Sequence, residues 1–205
     1  MPTYLIAVVG ASGSGKTTVS ESLNNQFREL GYTSCVISQD DFYNPIGHPL
    51  TNYDEPKALD LDLLASKLNL IKKGYVTEIP TYDFVTHRRQ PETRRIPELD
   101  LVIVEGLFLI TDESLANVFD TSIYLDIDQE TCYQQRLTRD QVERGRKVED
   151  INRQYFDQVK PGYEHYIAPY SSRADLVYEN FPIVTKDLAM QILELVMRNR
   201  CQPSK

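Results

Sequence analysis

The chain has 205 residues, 41% apolar and 25% charged, with a formal net charge of −8. That length supports one large or two small domains with a core that needs no covalent staples. The acidic balance argues against nucleic acid as the main partner, because phosphate backbones are gripped by basic faces.

Tyr4-Leu5-Ile6-Ala7-Val8-Val9 reads as a buried strand and Thr18–Leu30 as a helix. Between them runs Gly10-Ala11-Ser12-Gly13-Ser14-Gly15-Lys16-Thr17, continuing into Thr18. Strand, glycine-rich loop and helix are the context of a phosphate-binding loop. Its glycines let backbone N–H groups turn toward an anion, and the helix adds its positive end. Lys16 is expected to reach the outer phosphates and the Thr17 hydroxyl to bind Mg²⁺. The plainer alternative is a Gly/Ser turn between core elements.

Further strands are predicted at Ser34–Ser38, Leu101–Glu105, Ser122–Asp126 and Asp175–Tyr178, each short and apolar on nearly every residue, as in parallel sheets covered on both faces. Asp60–Lys73 carries Leu61, Leu64, Leu68 and Ile71 on one stripe and stops at Gly74. Asp128–Arg144 starts at an acidic cap and ends near Gly145. Val148–Tyr166 reads as a helix broken at Pro161-Gly162, and Lys186–Arg198 as a last helix. Residues 77–96 are β-prone and flanked by prolines, and read as a hairpin beside the main sheet. The fold class that follows is α/β: a P-loop NTPase-type three-layer sandwich with a mainly parallel central sheet, a small β-hairpin insertion and a helical lid over about 136–160. Residues 1–205 read as a single domain. Cys35, Cys132 and Cys201 are scattered without a Cys-x-x-Cys pair, which fits a reducing, cytoplasmic setting and no cysteine metal site. We expect neither a membrane span nor a secretory leader.

No Asn-Lys-x-Asp guanine-reading signature occurs. The second strand ends in Gln39-Asp40-Asp41-Phe42-Tyr43, and in open α/β sheets the carboxyl ends of strands line the ligand crevice. A carboxylate there can take a proton from a substrate hydroxyl during phosphoryl transfer; the alternative is a solvated acidic turn. Adjacent carboxylates point in different directions, so one of the two is expected to act. Glu105, at the end of another strand, suits Mg²⁺ work through water, or is an ordinary strand-end acid. Tyr82-Asp83-Phe84-Val85-Thr86-His87-Arg88-Arg89 offers a ring, an imidazole and guanidiniums for a base or sugar, or is a solvated loop. Arg136, Arg139, Arg144 and Arg146 cluster in an acidic chain, and Gly145 allows a bend that would set the last two on a mobile lid. Such arginines can neutralise a transferring phosphoryl group. Alternatively Arg139 pairs with Glu143 on the helix surface, a contact worth about 0.3–0.5 kcal/mol.

These pieces together resemble the uridine kinase (uridine–cytidine kinase) family of P-loop kinases. The carrying segments are Gly10–Thr18, Ser38–Tyr43, Asn52-Tyr53-Asp54, Pro80–His87, Glu105-Gly106, Arg136–Arg146, Gln154-Tyr155 and Ala174-Asp175. The resemblance implies transfer of the γ-phosphate of ATP or GTP, with Mg²⁺, to the 5′-hydroxyl of uridine or cytidine. It implies Asp40 as general base, with Asp54 and Arg136 on the ribose and Gln154 nearby. Tyr82, His87 and Arg146 would read the pyrimidine, and Arg139 and Arg144 would contact phosphates. It also implies a homo-oligomer, often a tetramer. Three features depart from the family pattern: a short stretch between Tyr43 and Asn52, Glu55 in place of a usual His, and an altered turn over 178–182 near the expected adenine site. A related kinase for another alcohol, of the phosphoribulokinase or pantothenate kinase kind, and a non-catalytic nucleotide sensor stay open at this point.

Overall fold

The computed structural model describes residues 2–44, 52–83, 86, 88–179 and 184–201, with the last two by backbone alone. The central sheet takes β1 (Tyr4–Gly10), β2 (Ser34–Ser38), β5 (Leu101–Gly106), β6 (Thr121–Leu125) and β7 (Leu176–Tyr178) in the order β2-β5-β1-β6-β7. Every pairing in it is parallel, so all carboxyl ends gather at one edge. Between β2 and β5 the chain forms a separate antiparallel pair, β3 (Thr77–Asp83) and β4 (Arg88–Ile96).

The alternation of side chains along β1 makes the three layers. Leu5, Ala7 and Val9 face Leu64, Leu68 and Ile71 of α2 (Leu61–Lys72). Ile6 and Val8 face the opposite way, onto α1 (Lys16–Glu29) through Val19, Leu23 and Phe27 and onto α7 (Lys186–Cys201) through Ala189, Ile192 and Val196. A strand covered on both faces has no polar side to show, which is why these segments read as unbroken apolar runs. The edge of β2 is partly covered from β4, where Arg94 Nη2 donates to the Val36 carbonyl at 2.9 Å.

The helices begin where local chemistry dictates. Asp60 caps α2 by accepting from the Leu63 amide at 3.1 Å, and Asp128 caps α4 (Gln129–Val142) by accepting from Thr131 at 2.8 Å. After α3 (Glu113–Ala116) and α4 comes α5 (Val148–Gln154). The predicted break at Pro161-Gly162 is absent. α5 runs through a π turn over Tyr155–Val159 into α6 (Lys160–Tyr166), with the Lys160 amide donating to the Tyr155 carbonyl. Pro161 has no N–H and its ring would crowd the carbonyl four residues back, and the wider turn accommodates both.

Asp175 lies at the amino end of β7, away from the crevice edge. Its Oδ2 accepts from the Ser122 amide at 2.7 Å and the Ser122 hydroxyl at 2.9 Å. It therefore ties β6 to the start of β7. The altered turn after Tyr178 falls largely at 180–183, outside the described residues. Asp175→Ala strands the amide of buried Ser122, and we expect a loss of about 1–3 kcal/mol in urea unfolding. An unchanged midpoint would remove the staple.

Candidate active site

The loop from Gly10 to Lys16 links the end of β1 to the first turn of α1, at the edge where β2 and β5 also end. Gly13 has φ +86° and Gly15 φ +80°, conformations that side-chain-bearing residues rarely take. Gly13 is also sterically required: a Cβ there would lie 2.1 Å from the Cys132 carbonyl oxygen in α4. The loop is thus seated directly on the helix that carries the arginines. Ser12 completes the seat, its Oγ accepting from Arg136 Nη1 at 2.6 Å. Ala11 offers its carbonyl to the Ser14 amide at 3.1 Å and to Lys16 Nζ at 2.8 Å. Thr17 and Thr18 are exposed on the first turn of α1.

Two charge clusters face this loop. In the first, Lys16, Asp40 and Glu105 act on one another. Burial pushes the Asp40 carboxyl up to about 6, the neighbouring Glu105 charge adds to the rise, and Lys16, Arg144 and Arg139 oppose it. Burial likewise lowers the Lys16 ammonium, against the pull of Glu105 and Asp40. Ser38 orders the pair: its Oγ donates to Glu105 Oε1 at 2.7 Å and accepts from the Asp40 amide at 3.3 Å. Asp41 turns away and accepts from the Tyr82 backbone N–H, which separates the roles of the two adjacent acids.

In the second cluster, Arg136 is 5% exposed and Asp140 fully buried. Asp140 receives Arg139 at 2.8 Å, Arg146 at 3.1 Å, Arg144 at 3.4 Å and Arg136 at 3.8 Å. Burial alone would raise the Asp140 carboxyl, but the guanidiniums outweigh it and hold it below the usual range. Arg139 therefore sits on Asp140, and the alternative pairing with Glu143 is not found. Gln154 Oε1 accepts from Arg146 at 2.7 Å and Arg136 at 3.2 Å. Asp54 is buried beside them, with its carboxyl raised by burial and drawn down by Arg136. Arg144 and Arg146 flank Gly145, whose φ is +60°, so the expected bend is present.

Tyr82 is 8% exposed on β3, its ring 5.3 Å from that of Tyr43, which in turn lies 5.6 Å from Tyr53. Tyr43 stands among Asp40, Asp54, Arg136 and Tyr82, and its hydroxyl donates to the Tyr53 carbonyl at 3.1 Å. Arg89 is not directed at a ligand: it holds the carbonyls of Phe42 and Tyr43. His87 lies outside the described residues, as does 45–51, where the chain departs from the family in length. Glu55 accepts from Asn52 and pairs with Lys57, fastening the turn that contains Asp54.

Sequence reasoning quoted the segments that hold Asp140, Tyr43, Tyr53 and Gly162 but gave these four residues no role in the site. A Cβ on Gly162 would lie 2.7 Å from the Asp54 carbonyl oxygen. Gln154 and Gly162 would be offset by about 80° on a regular helix, and the extra residue of the π turn removes about 100°, so both face the crevice. A glycine within a helix next to a proline was the available signal.

The donor set fits Mg²⁺: the Thr17 hydroxyl and the Glu105 carboxylate are hard oxygen ligands, and a cation there would relieve the part of the rise in Asp40 that the Glu105 charge adds to burial. Among the described residues no group of three or more His, Cys, Asp or Glu side chains is arranged to hold a metal.

The Phosphoribulokinase / Uridine kinase family model matches residues 5–187. The chain belongs to this family. Uridine kinase of Staphylococcus haemolyticus (strain JCSC1435) is 37% identical over 181 residues, spanning 85% of this chain and 86% of that one. Uridine kinase of Shewanella sp. (strain ANA-3) is 38% identical over 181 residues, spanning 84% and 85%. In fold the chain is similar to phosphoribulokinase from Rhodobacter spheroides, with TM-score 0.67 and 20% identity over 92% of this chain and 74% of that one. The protein is thus a P-loop kinase, a phosphotransferase. None of its described helices is long and apolar enough to cross a membrane.

Alanine exceeds glycine in helix propensity by about 1 kcal/mol, yet we expect Gly162→Ala to destabilise by about 1–3 kcal/mol, through overpacking against Asp54. A gain of stability in denaturant titration would show that the close approach imposes no constraint.

Proposed function

We propose that this P-loop kinase transfers the γ-phosphate of ATP or GTP to the 5′-hydroxyl of uridine or cytidine, a pyrimidine-salvage step in the cytoplasm. The observation that carries this is Asp40: a carboxyl set near neutrality, beside Lys16 and Glu105, at the mouth of the phosphate loop. The identity of the acceptor is supported by the named relatives, by the Asp54–Arg136–Gln154 group suited to ribose hydroxyls, and by the ring cluster around Tyr82. The proposed assembly is a homo-oligomer.

In this reading the loop amides and Lys16 hold the donor's phosphates. The Thr17 hydroxyl, and Glu105 through water, would hold Mg²⁺, which when bound would supply positive charge to the donor's phosphates. Asp54 and Arg136 fix the ribose, with Tyr82 and His87 at the base edge and Arg146 behind them. Asp40 takes the proton from the 5′-hydroxyl, and that oxygen bonds to the γ-phosphorus as the bond to the β-phosphate oxygen breaks. The nucleoside diphosphate leaves, and Asp40 releases its proton to solvent. Arg139 and Arg144 spread positive charge over the transferring group. The segment 136–160 would act as a lid that excludes competing water. An acceptor of another kind, as in a sugar-phosphate kinase, would not use the ring cluster.

Asp40→Asn should keep donor binding and lower kcat about 10²-fold or more with uridine. The wild-type kcat/KM should fall as pH drops through about 6, where Asp40 becomes protonated, and this limb should vanish in the variant. Because its folded value lies above its unfolded one, ionising Asp40 works against folding as pH rises through about 6, so Asp40→Asn should also melt higher at neutral pH. Near-normal turnover of Asp40→Asn across a coupled-assay panel of nucleosides would remove Asp40 from this role.

A further inference from the structure

The sequence offers Arg89 as one of several guanidiniums for a base or sugar, or as part of a solvated loop; the structure shows its guanidinium spent inside the protein. Nε donates to the Tyr43 carbonyl at 2.8 Å, and Nη2 donates to the Phe42 carbonyl at 3.0 Å and to Asp60 Oδ2 at 3.2 Å. The side chain is 19% exposed. In the antiparallel pair, Arg89 lies directly across from Tyr82. The residues it grips close the short 3-10 turn Gln39–Phe42 that carries Asp40. A second stitch crosses the same seam in the same direction, the Tyr82 amide donating to the Asp41 carboxylate. The Tyr43 and Tyr82 rings close the seam at 5.3 Å.

Carbonyl oxygens at the end of such a turn have no helical partner, so a planar fork with several donors is well suited to hold two of them at once. Lysine, a compact ammonium whose three donors are not set in a planar fork, holds such a pair less firmly. Asp60 completes the arrangement: one carboxylate oxygen caps α2 and the other receives Arg89. The hairpin, the Asp40 turn and the start of α2 therefore meet at one guanidinium, beside a direct bond from the Asp60 amide to the Phe42 carbonyl at 2.9 Å.

We propose that Arg89 is a positioning residue that registers Asp40 against the hairpin, so that an acceptor seated on Tyr82 finds the carboxylate at its hydroxyl. This rests on the reading of Asp40 as general base. Arg89 touches no reacting atom and acts through the turn.

The test is a double-mutant cycle on the full chain with uridine and ATP·Mg²⁺, with thermal melts alongside. Arg89→Met, which keeps the apolar stem, should lower kcat at least about tenfold while KM for ATP stays within about twofold. Arg89→Lys should fall between it and wild type, and added guanidinium ion at non-denaturing concentration should restore part of the loss in Arg89→Met. In the Asp40→Asn background, Arg89→Met should cost less than about threefold, because the group it positions is gone. Full multiplication of the two effects, or a kcat within twofold of wild type in Arg89→Met, overturns the proposal. If Arg89→Met does not fold, Arg89→Lys carries the same cycle and the same criteria. A silent Asp40→Asn would instead overturn the underlying reading of the base, so the two failures are distinguishable.

Discussion

Four guanidinium groups cannot crowd one crevice unless a counter-charge sits among them, and the buried carboxylate of Asp140 is that counter-charge. Two unit charges 4 Å apart near a protein surface interact by about 4 kcal/mol. Mutual repulsion would therefore drive Arg139, Arg144 and Arg146 into solvent if Asp140 were neutral. Arg136, itself buried, also has its guanidinium lowered by burial against the pull of Asp54 and Asp140. The same logic runs in reverse on the opposite wall, where Asp40 and Glu105 crowd around the single ammonium of Lys16. There the deficit is of positive charge, and burial together with the Glu105 charge raises the Asp40 carboxyl. A crevice with an arginine-rich wall and an acid-rich wall suits a triphosphate and a divalent ion between them.

The fold makes this arrangement with few degrees of freedom. Parallel strands bring Gly10, Ser38 and Gly106 to one edge, so the phosphate loop, the Asp40 turn and Glu105 need no long connections to meet. Gly13 lets the loop lie on the backbone of α4, and Gly162 lets α6 press against the Asp54 segment. Both contacts are backbone to backbone, so neither can relax by a side-chain rotation. The acceptor side is built differently, from an antiparallel pair outside the main sheet that is stitched to the Asp40 turn by Arg89 and Asp41.

The layers were legible in the sequence because buried parallel strands and amphipathic helices leave periodic marks. The strands observed fall within about a residue of the apolar runs, and Asp60 and Asp128 announce α2 and α4 through cap chemistry. The phosphate loop was legible because its backbone needs glycine at fixed positions. What was not legible depends on pairs far apart in the chain. Asp140 lies in the Arg136–Arg146 segment that carries the resemblance, but nothing local marks it as buried, and its burial exists only because arginines on both sides fold over it. Gly162 matters because of Asp54, and Arg89 because of Phe42 and Tyr43, and no local pattern marks either pair. The helix break expected at Pro161 became a π turn, since the tertiary contacts of Gln154 and Gly162 keep the chain helical on both sides of it.

The most direct measurement is a crystal structure with a non-hydrolysable ATP analogue, Mg²⁺ and uridine bound together. The account predicts an Asp40 carboxylate oxygen within about 2.6–3.2 Å of the 5′-oxygen, which faces the terminal phosphorus. A closed complex in which that carboxylate points away from the ribose, or in which the nucleoside lies apart from Tyr82 and Asp54, would contradict it.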